Sequence, residues 1–145
     1  MNRIYLIYGL LFLGSCYFNA SFTNEESERK KGEEVANIFY EYVMHQNLDG
    51  SIEPYFSKEL LEITPIEELD SLLLLINNKS GDYISRELDE WSTKRQKGSD
   101  ENWECALIYS VKYEKGEAKE FFEFIKENDS IKILNYNFRS SINPK

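Results

Sequence analysis

Between Trp103 and Tyr113 the chain alternates so regularly that an extended strand is the conformation it suits. Trp103, Cys105, Leu107, Tyr109, Val111 and Tyr113 fall on one face, and Glu104, Ala106, Ile108, Ser110 and Lys112 on the other, the period of a β-strand. The first face is aromatic and β-branched, suited to a pleated, half-buried surface. The second is mixed, as in an antiparallel sheet with one face partly wet. Whatever precedes this strand must cover its apolar face, and whatever follows can pair with it.

The downstream chain reads as partners for that strand. Residues 114–117 form a hairpin turn, with Gly116 free to take positive φ. Residues 118–126 form the next strand, with Phe122 and Phe124 on one face and Phe121 and Ile125 on the other. A second turn at 127–130 leads to a last strand over 131–138, and a polar tail follows. Upstream, residues 82–96 predict a long, exposed, curved strand carrying Ile84 and Leu88, with Tyr83 and Trp91, between polar positions.

Helices are expected before the sheet. Over 28–46, Val35, Ile38, Phe39, Tyr42 and Val43 recur at three- and four-residue spacing and mark one apolar stripe. Asn47, Asp49 and Gly50 stop that helix. Residues 51–63 predict short helical turns broken around Pro54. A further helix starts with Thr64 as cap, Pro65 in the first turn and Glu67 in the capping-box place. It turns Ile66, Leu69, Leu72, Leu73 and Ile76 inward, and the run Leu72 to Leu75 predicts burial on more than one face.

A chain of 145 residues has room for one domain with a real core, and 41% hydrophobic content argues that it folds. Its 17 basic residues against 26 acidic ones give a net charge of -9, which repels phosphate backbones and argues against nucleic acid as a partner. The two cysteines, Cys16 and Cys105, make no disulfide framework and no zinc spacing. No metal ligand set, cofactor motif or catalytic constellation stands out. The one histidine, His45, sits in the last turn of the first helix and reads as a solvent-edge residue rather than a general base.

The amino-terminal stretch carries the most specific signal. Arg3 supplies a short positive region and residues 4–13 an uncharged apolar run, too short to span a bilayer and right for a signal peptide. It ends in Leu13, Gly14, Ser15 and Cys16, which resemble the lipobox of bacterial lipoproteins. The resemblance implies cleavage before Cys16 and acylation of its thiol, anchoring the chain at about 0.8 kcal/mol per buried CH2. An ordinary cut after Ala20 would put bulky Phe18 where a small residue is wanted. The expected layout is therefore a signal peptide over 1–15, a lipidated Cys16 with a flexible tether to 27, one domain over 28–139, and a polar tail over 140–145. The expected location is the bacterial cell envelope, at the outer membrane where there is one.

The order helix, broken helix, helix, then a meander resembles the cystatin-like, nuclear-transport-factor-two-like superfamily. The residues that carry the likeness are Gly81 to Arg86, Tyr109 to Tyr113, Phe122 to Ile125 and Leu134 to Tyr136. The resemblance implies an α+β fold in which N-terminal helices pack on a curved antiparallel sheet of about four strands, forming a cone. Trp103, Cys105, Tyr109, Tyr113 and Tyr136 are then candidates to line a pocket; the plainer reading of the same face is packed core, with Cys105 a buried inert thiol. Enzymatic members keep a carboxylate base and a Tyr or Asp acid inside the cone. Here Asp82, Asp89 and Glu90 read equally as solvated, so no inward acid is evident. Three readings follow: a lipid-anchored, non-catalytic domain that binds a protein or a small apolar ligand; a small cone enzyme of the isomerase or dehydratase type using Tyr109 or Tyr113; and an immunity or inhibitor lipoprotein whose acidic face meets a protein partner. A homodimer is compatible with each.

Overall fold

The computed structural model describes residues 20–45, 49–98 and 101–140. The chain runs β1 (Ala20–Thr23), α1 (Glu26–Met44), a 3-10 turn at Glu53–Tyr55, α2 (Lys58–Ile63), α3 (Ile66–Ser80), β2 (Tyr83–Lys97), β3 (Asn102–Tyr113), β4 (Gly116–Glu127) and β5 (Ser130–Ser140). All the strands join one antiparallel, open, curved sheet in the order β1-β2-β3-β4-β5. The α+β expectation of helices packed on a curved antiparallel sheet holds at that level.

The sheet has five strands where about four were expected. The extra one is β1, which falls inside the stretch read as a tether. Ala20 lies opposite Lys97 and Thr23 opposite Lys94, so backbone bonding to β2 orders a segment too short to show a side-chain period. The junction into α1 is also fixed. Asn24 takes a positive φ of 54° and its backbone N–H bonds the Thr93 carbonyl at 3.0 Å, while the Glu25 N–H bonds the Thr93 hydroxyl at 3.0 Å. The described sheet therefore already includes Ala20, and α1 begins at Glu26 rather than 28. Cys16 and the expected signal peptide over 1–15 lie outside the described residues. At the other end β5 runs through Ser140, one residue into the expected tail.

β3 is the strand its alternation predicted, with Trp103, Cys105, Leu107, Tyr109, Val111 and Tyr113 all buried. α1 crosses that face. Its buried stripe is Val35, Ala36, Phe39 and Tyr40, rotated from the expected one, so that Tyr40 is 1% exposed and Ile38 37%. Helix and sheet approach closely at Gly32, where a Cβ would lie 2.8 Å from the Cys105 sulfur. Only a residue without a Cβ lets α1 sit this near β3.

β2 departs from simple alternation. Register shifts between Tyr83 and Ser85 and between Leu88 and Glu90 each add a residue on the β2 side. Tyr83, Arg86, Leu88, Trp91, Thr93 and Arg95 therefore take the less exposed positions, while Ile84, expected among the apolar residues, is 52% exposed. The first bulge brings the Arg86 side chain to the same face as Tyr83.

Two helix expectations are corrected. Thr64 closes α2, its N–H bonding the Leu60 carbonyl, and Pro65 precedes α3 without a side-chain cap; the cap that does form is Ser57, which accepts from the Leu60 N–H at 3.1 Å. α3 buries Leu69, Leu73 and Ile76 but leaves Leu72, Leu74 and Leu75 exposed. The leucine run outlasts the one face that has anything to pack on.

Candidate functional site

Glu120 is the polar centre of the concave face. It alternates with Ala118, Phe122 and Phe124 on the inward side of β4 and is 0% exposed. Three phenols converge on its carboxyl group. Tyr40 of α1 donates to Oε2 at 2.9 Å, Tyr136 of β5 donates to the same oxygen at 3.1 Å, and Tyr113 of β3 donates to Oε1. Each phenol comes from a different element, so the cluster exists only once helix and sheet are assembled.

Burial pushes the Glu120 carboxyl above its usual range, and the hydrogen bonds from Tyr113, Tyr40 and Tyr136, with the charge of Arg86, pull only part of the way back. The phenols respond in kind. Burial first, then the neighbouring Glu120, raises Tyr40, Tyr136 and Tyr113. Chemically this is a group that can take up or release a proton while three donors hold it in place.

Aromatic rings close around it. Phe39 packs edge-on against Phe122 with centroids 5.1 Å apart, Tyr136 lies 4.8 Å from Phe39 and 5.0 Å from Phe122, and Phe138 stands 6.0 Å from Tyr113. On the remaining side the Arg86 guanidinium lies 4.2 Å from the Tyr40 centroid and 5.5 Å from that of Tyr109. Arg86 also donates to the Tyr83 hydroxyl at 3.0 Å and to the Asn37 side-chain oxygen. Outside it is a shallow groove of about 550 Å3, bordered by Tyr83, Ile84, Leu88 and Tyr109 with Glu33 and Asn37 of α1. The groove lining includes Arg86 and does not include Glu120.

The expected pocket-lining residues separate into two groups. Tyr113 and Tyr136 meet at Glu120, and Tyr109 stands beside them under Arg86, its hydroxyl pushed up to about 12 chiefly by burial. Trp103 and Cys105 lie toward the start of α1. Cys105 packs on Gly32, and burial pushes its thiol up to about 12. The Trp103 indole N–H donates to Glu28 at 2.6 Å.

Glu28 is a second buried carboxylate, of opposite character. At 4% exposed it receives Trp103 and, at 2.7 Å, Lys31 on Oε2, and Arg95 at 2.8 Å on Oε1. Burial acts to raise it, but the bonds from Lys31, Trp103 and Arg95 prevail and hold it below the usual carboxylate range. Arg95 reaches on to Glu101 at 2.8 Å, and Lys126 joins Glu101 at 3.1 Å and Asp129 at 3.2 Å. This network ties α1 to the sheet and, with Trp103 and Ile131, lines a small pocket of about 210 Å3.

Sequence reasoning weighed Asp82, Asp89 and Glu90 as inward acids and passed over Glu120. Asp82 and Glu90 are exposed, and Asp89, also exposed, is engaged by Lys119 and the Ser110 hydroxyl. A signal for Glu120 was present: it precedes Phe122 and Phe124 by two and four positions and so shares their face. Tyr40 could not be found so, because the helical stripe was set one position away. His45 is exposed at the end of α1, 3.5 Å from Glu41. Among the described residues no three His, Cys, Asp or Glu side chains gather to hold a metal, and no helix is long and apolar enough to cross a membrane. No family model matches the chain, and no curated protein matches it.

Proposed function

We propose that this chain is a cell-envelope lipoprotein, anchored through Cys16, whose single cystatin-like, nuclear-transport-factor-two-like domain binds rather than catalyses. The lipobox Leu13 to Cys16 and the uncharged run before it support the anchor. The element order and the curvature of β2 to β5 over α1 support the cone. The observation that carries the non-catalytic reading is the closure of Glu120. In an isomerase-type cone the acid and base face a substrate; here the inward acid is 0% exposed and its carboxyl oxygens are taken by Tyr40, Tyr113 and Tyr136.

Two measurements test the two halves. In a bacterial host fed an alkyne analogue of palmitate, the full chain should be labelled and partition with detergent, and Cys16→Ser should do neither. An unlabelled wild-type chain would remove the anchor. Carbodiimide coupling on the folded protein should spare Glu120 while modifying exposed carboxylates such as Glu67 and Glu68. Rapid coupling at Glu120 would mean that solvent reaches it and would restore the isomerase-type reading.

A further inference from the structure

We infer that the groove over Arg86 is a binding site for a small organic anion: a carboxylate carried on a flat apolar body. The inference rests on the reading of the domain as a binding module and names what that module takes.

The first ground is the company Arg86 keeps. Three described arginines are partly buried, Arg29, Arg86 and Arg95. Arg29 pairs with Glu26 and Glu33, and Arg95 with Glu28 and Glu101. Arg86 makes no ion pair among the described residues; its partners, Asn37 and Tyr83, are neutral. In a chain of net charge -9, acidic partners are plentiful, so a guanidinium provided only with neutral ones keeps its charge for something else. Glu33 also borders the groove, but its carboxylate is drawn to Arg29 at 3.5 Å. Glu120 feels the Arg86 charge, but its carboxyl group is bonded by the three phenols and not by the guanidinium.

The second ground is preorganisation. Stacking on Tyr40 and two hydrogen bonds hold the guanidinium in one orientation, which spares a ligand the entropy of ordering a long side chain. A planar guanidinium so held suits a carboxylate better than a point charge would. The third ground is the wall. Tyr83, Tyr109 and Leu88 line it, and Ile84 stands 52% exposed at its rim, where the β2 bulge has placed it. At about 550 Å3 the groove is within the size range of small-molecule sites.

The test is a 15N NMR titration of the full chain in detergent micelles with 3-phenylpropionate, run beside its neutral analogue 3-phenylpropan-1-ol. Saturable shifts at the amides of Asn37, Ile84 and Arg86 are expected for the acid and not for the alcohol, with a dissociation constant of about 1 mM or tighter. Arg86→Gln should weaken binding at least about tenfold, and Arg86→Lys should retain part of it. Ile84→Glu, which alters an exposed side chain outside the core, should also weaken it and serves if Arg86→Gln does not fold. No saturable shift, equal shifts with the alcohol, or unchanged binding by Arg86→Gln or Ile84→Glu each overturns the anion site. Detergent partitioning of the same samples reports the anchor separately. A chain that is lipidated and captures a protein partner, yet ignores the acid, would keep the module reading and lose this one.

Discussion

Tyr40 and Glu120 stand 80 residues apart in the chain and 2.9 Å apart in the fold, phenol to carboxyl, both essentially out of water. The bond pins the middle of α1 to β4, a strand two removed from β2 in the sheet. It also places a titrating group where its ionised form is least welcome, and that makes the interior sensitive to pH.

Because the Glu120 carboxyl sits above its ordinary 4.5 in the folded chain, folding favours its protonated form. Its contribution to stability is complete below that ordinary value and is lost as pH rises through the folded-state value. Unfolding free energies from urea titrations at pH 4 to 8 should fall more steeply for wild type than for Glu120→Gln, by about 1.4 kcal/mol for each unit of elevation. Parallel curves would remove Glu120 as the source.

Glu28 has the opposite sign. Its carboxyl lies below 4.5 when folded, so its contribution is present above that value and drains as pH falls through the folded-state one. Glu28→Gln, which leaves Lys31, Arg95 and Trp103 facing a neutral amide, should cost about 1–3 kcal/mol at neutral pH. That cost should shrink in acid, where wild type has lost the charge as well; a constant cost across pH would point to packing instead.

At Gly32 an alanine gains about 1 kcal/mol of helix propensity and loses more to the clash with Cys105. Gly32→Ala is expected to destabilise by about 1–2 kcal/mol in urea titrations. Adding Cys105→Ala removes the sulfur and should recover a good part of the loss. Strict additivity of the two changes would show that the contact does not limit the approach of α1.

The Cys105 thiol, with its pKa pushed up to about 12, should be inert. In a Cys16→Ser chain, a disulfide reagent at pH 8 should leave the remaining thiol untouched until urea unfolds the domain. Reaction in the native state on the time of mixing would contradict the packing of α1 over β3.

The elements legible in the sequence are those whose side chains repeat along their own backbone. β3 showed its period without interruption from Trp103 to Tyr113, and β4 showed it through Phe122 and Phe124. β2 did not, because its two bulges are set by pairing with β3: the first flips the parity of the strand and the second restores it. That hid the grouping of Tyr83 with Arg86 and Leu88, because simple alternation pairs Arg86 with Ile84, which the first bulge turns outward. β1 was invisible for a related reason: four residues carry too little pattern, and its order comes from β2. Glu120 was legible by parity, but the expectation that a glutamate seeks water overrode it. Three phenols from α1, β3 and β5 reverse that preference, and no single stretch of sequence contains them.

The pairing of β1 with β2 would also shorten the leash of a chain anchored as proposed. Only Tyr17, Phe18 and Asn19 separate Cys16 from the first paired residue, a span of about 14 Å at full stretch. Acyl chains on Cys16 would therefore hold the β1 edge of the sheet almost on the headgroups, and the domain could pivot there but not roam. With Cys16 so acylated, whatever the domain meets would have to come to the bilayer surface, and a pull on the anchor would load the β1–β2 hydrogen bonds from the Ala20 end.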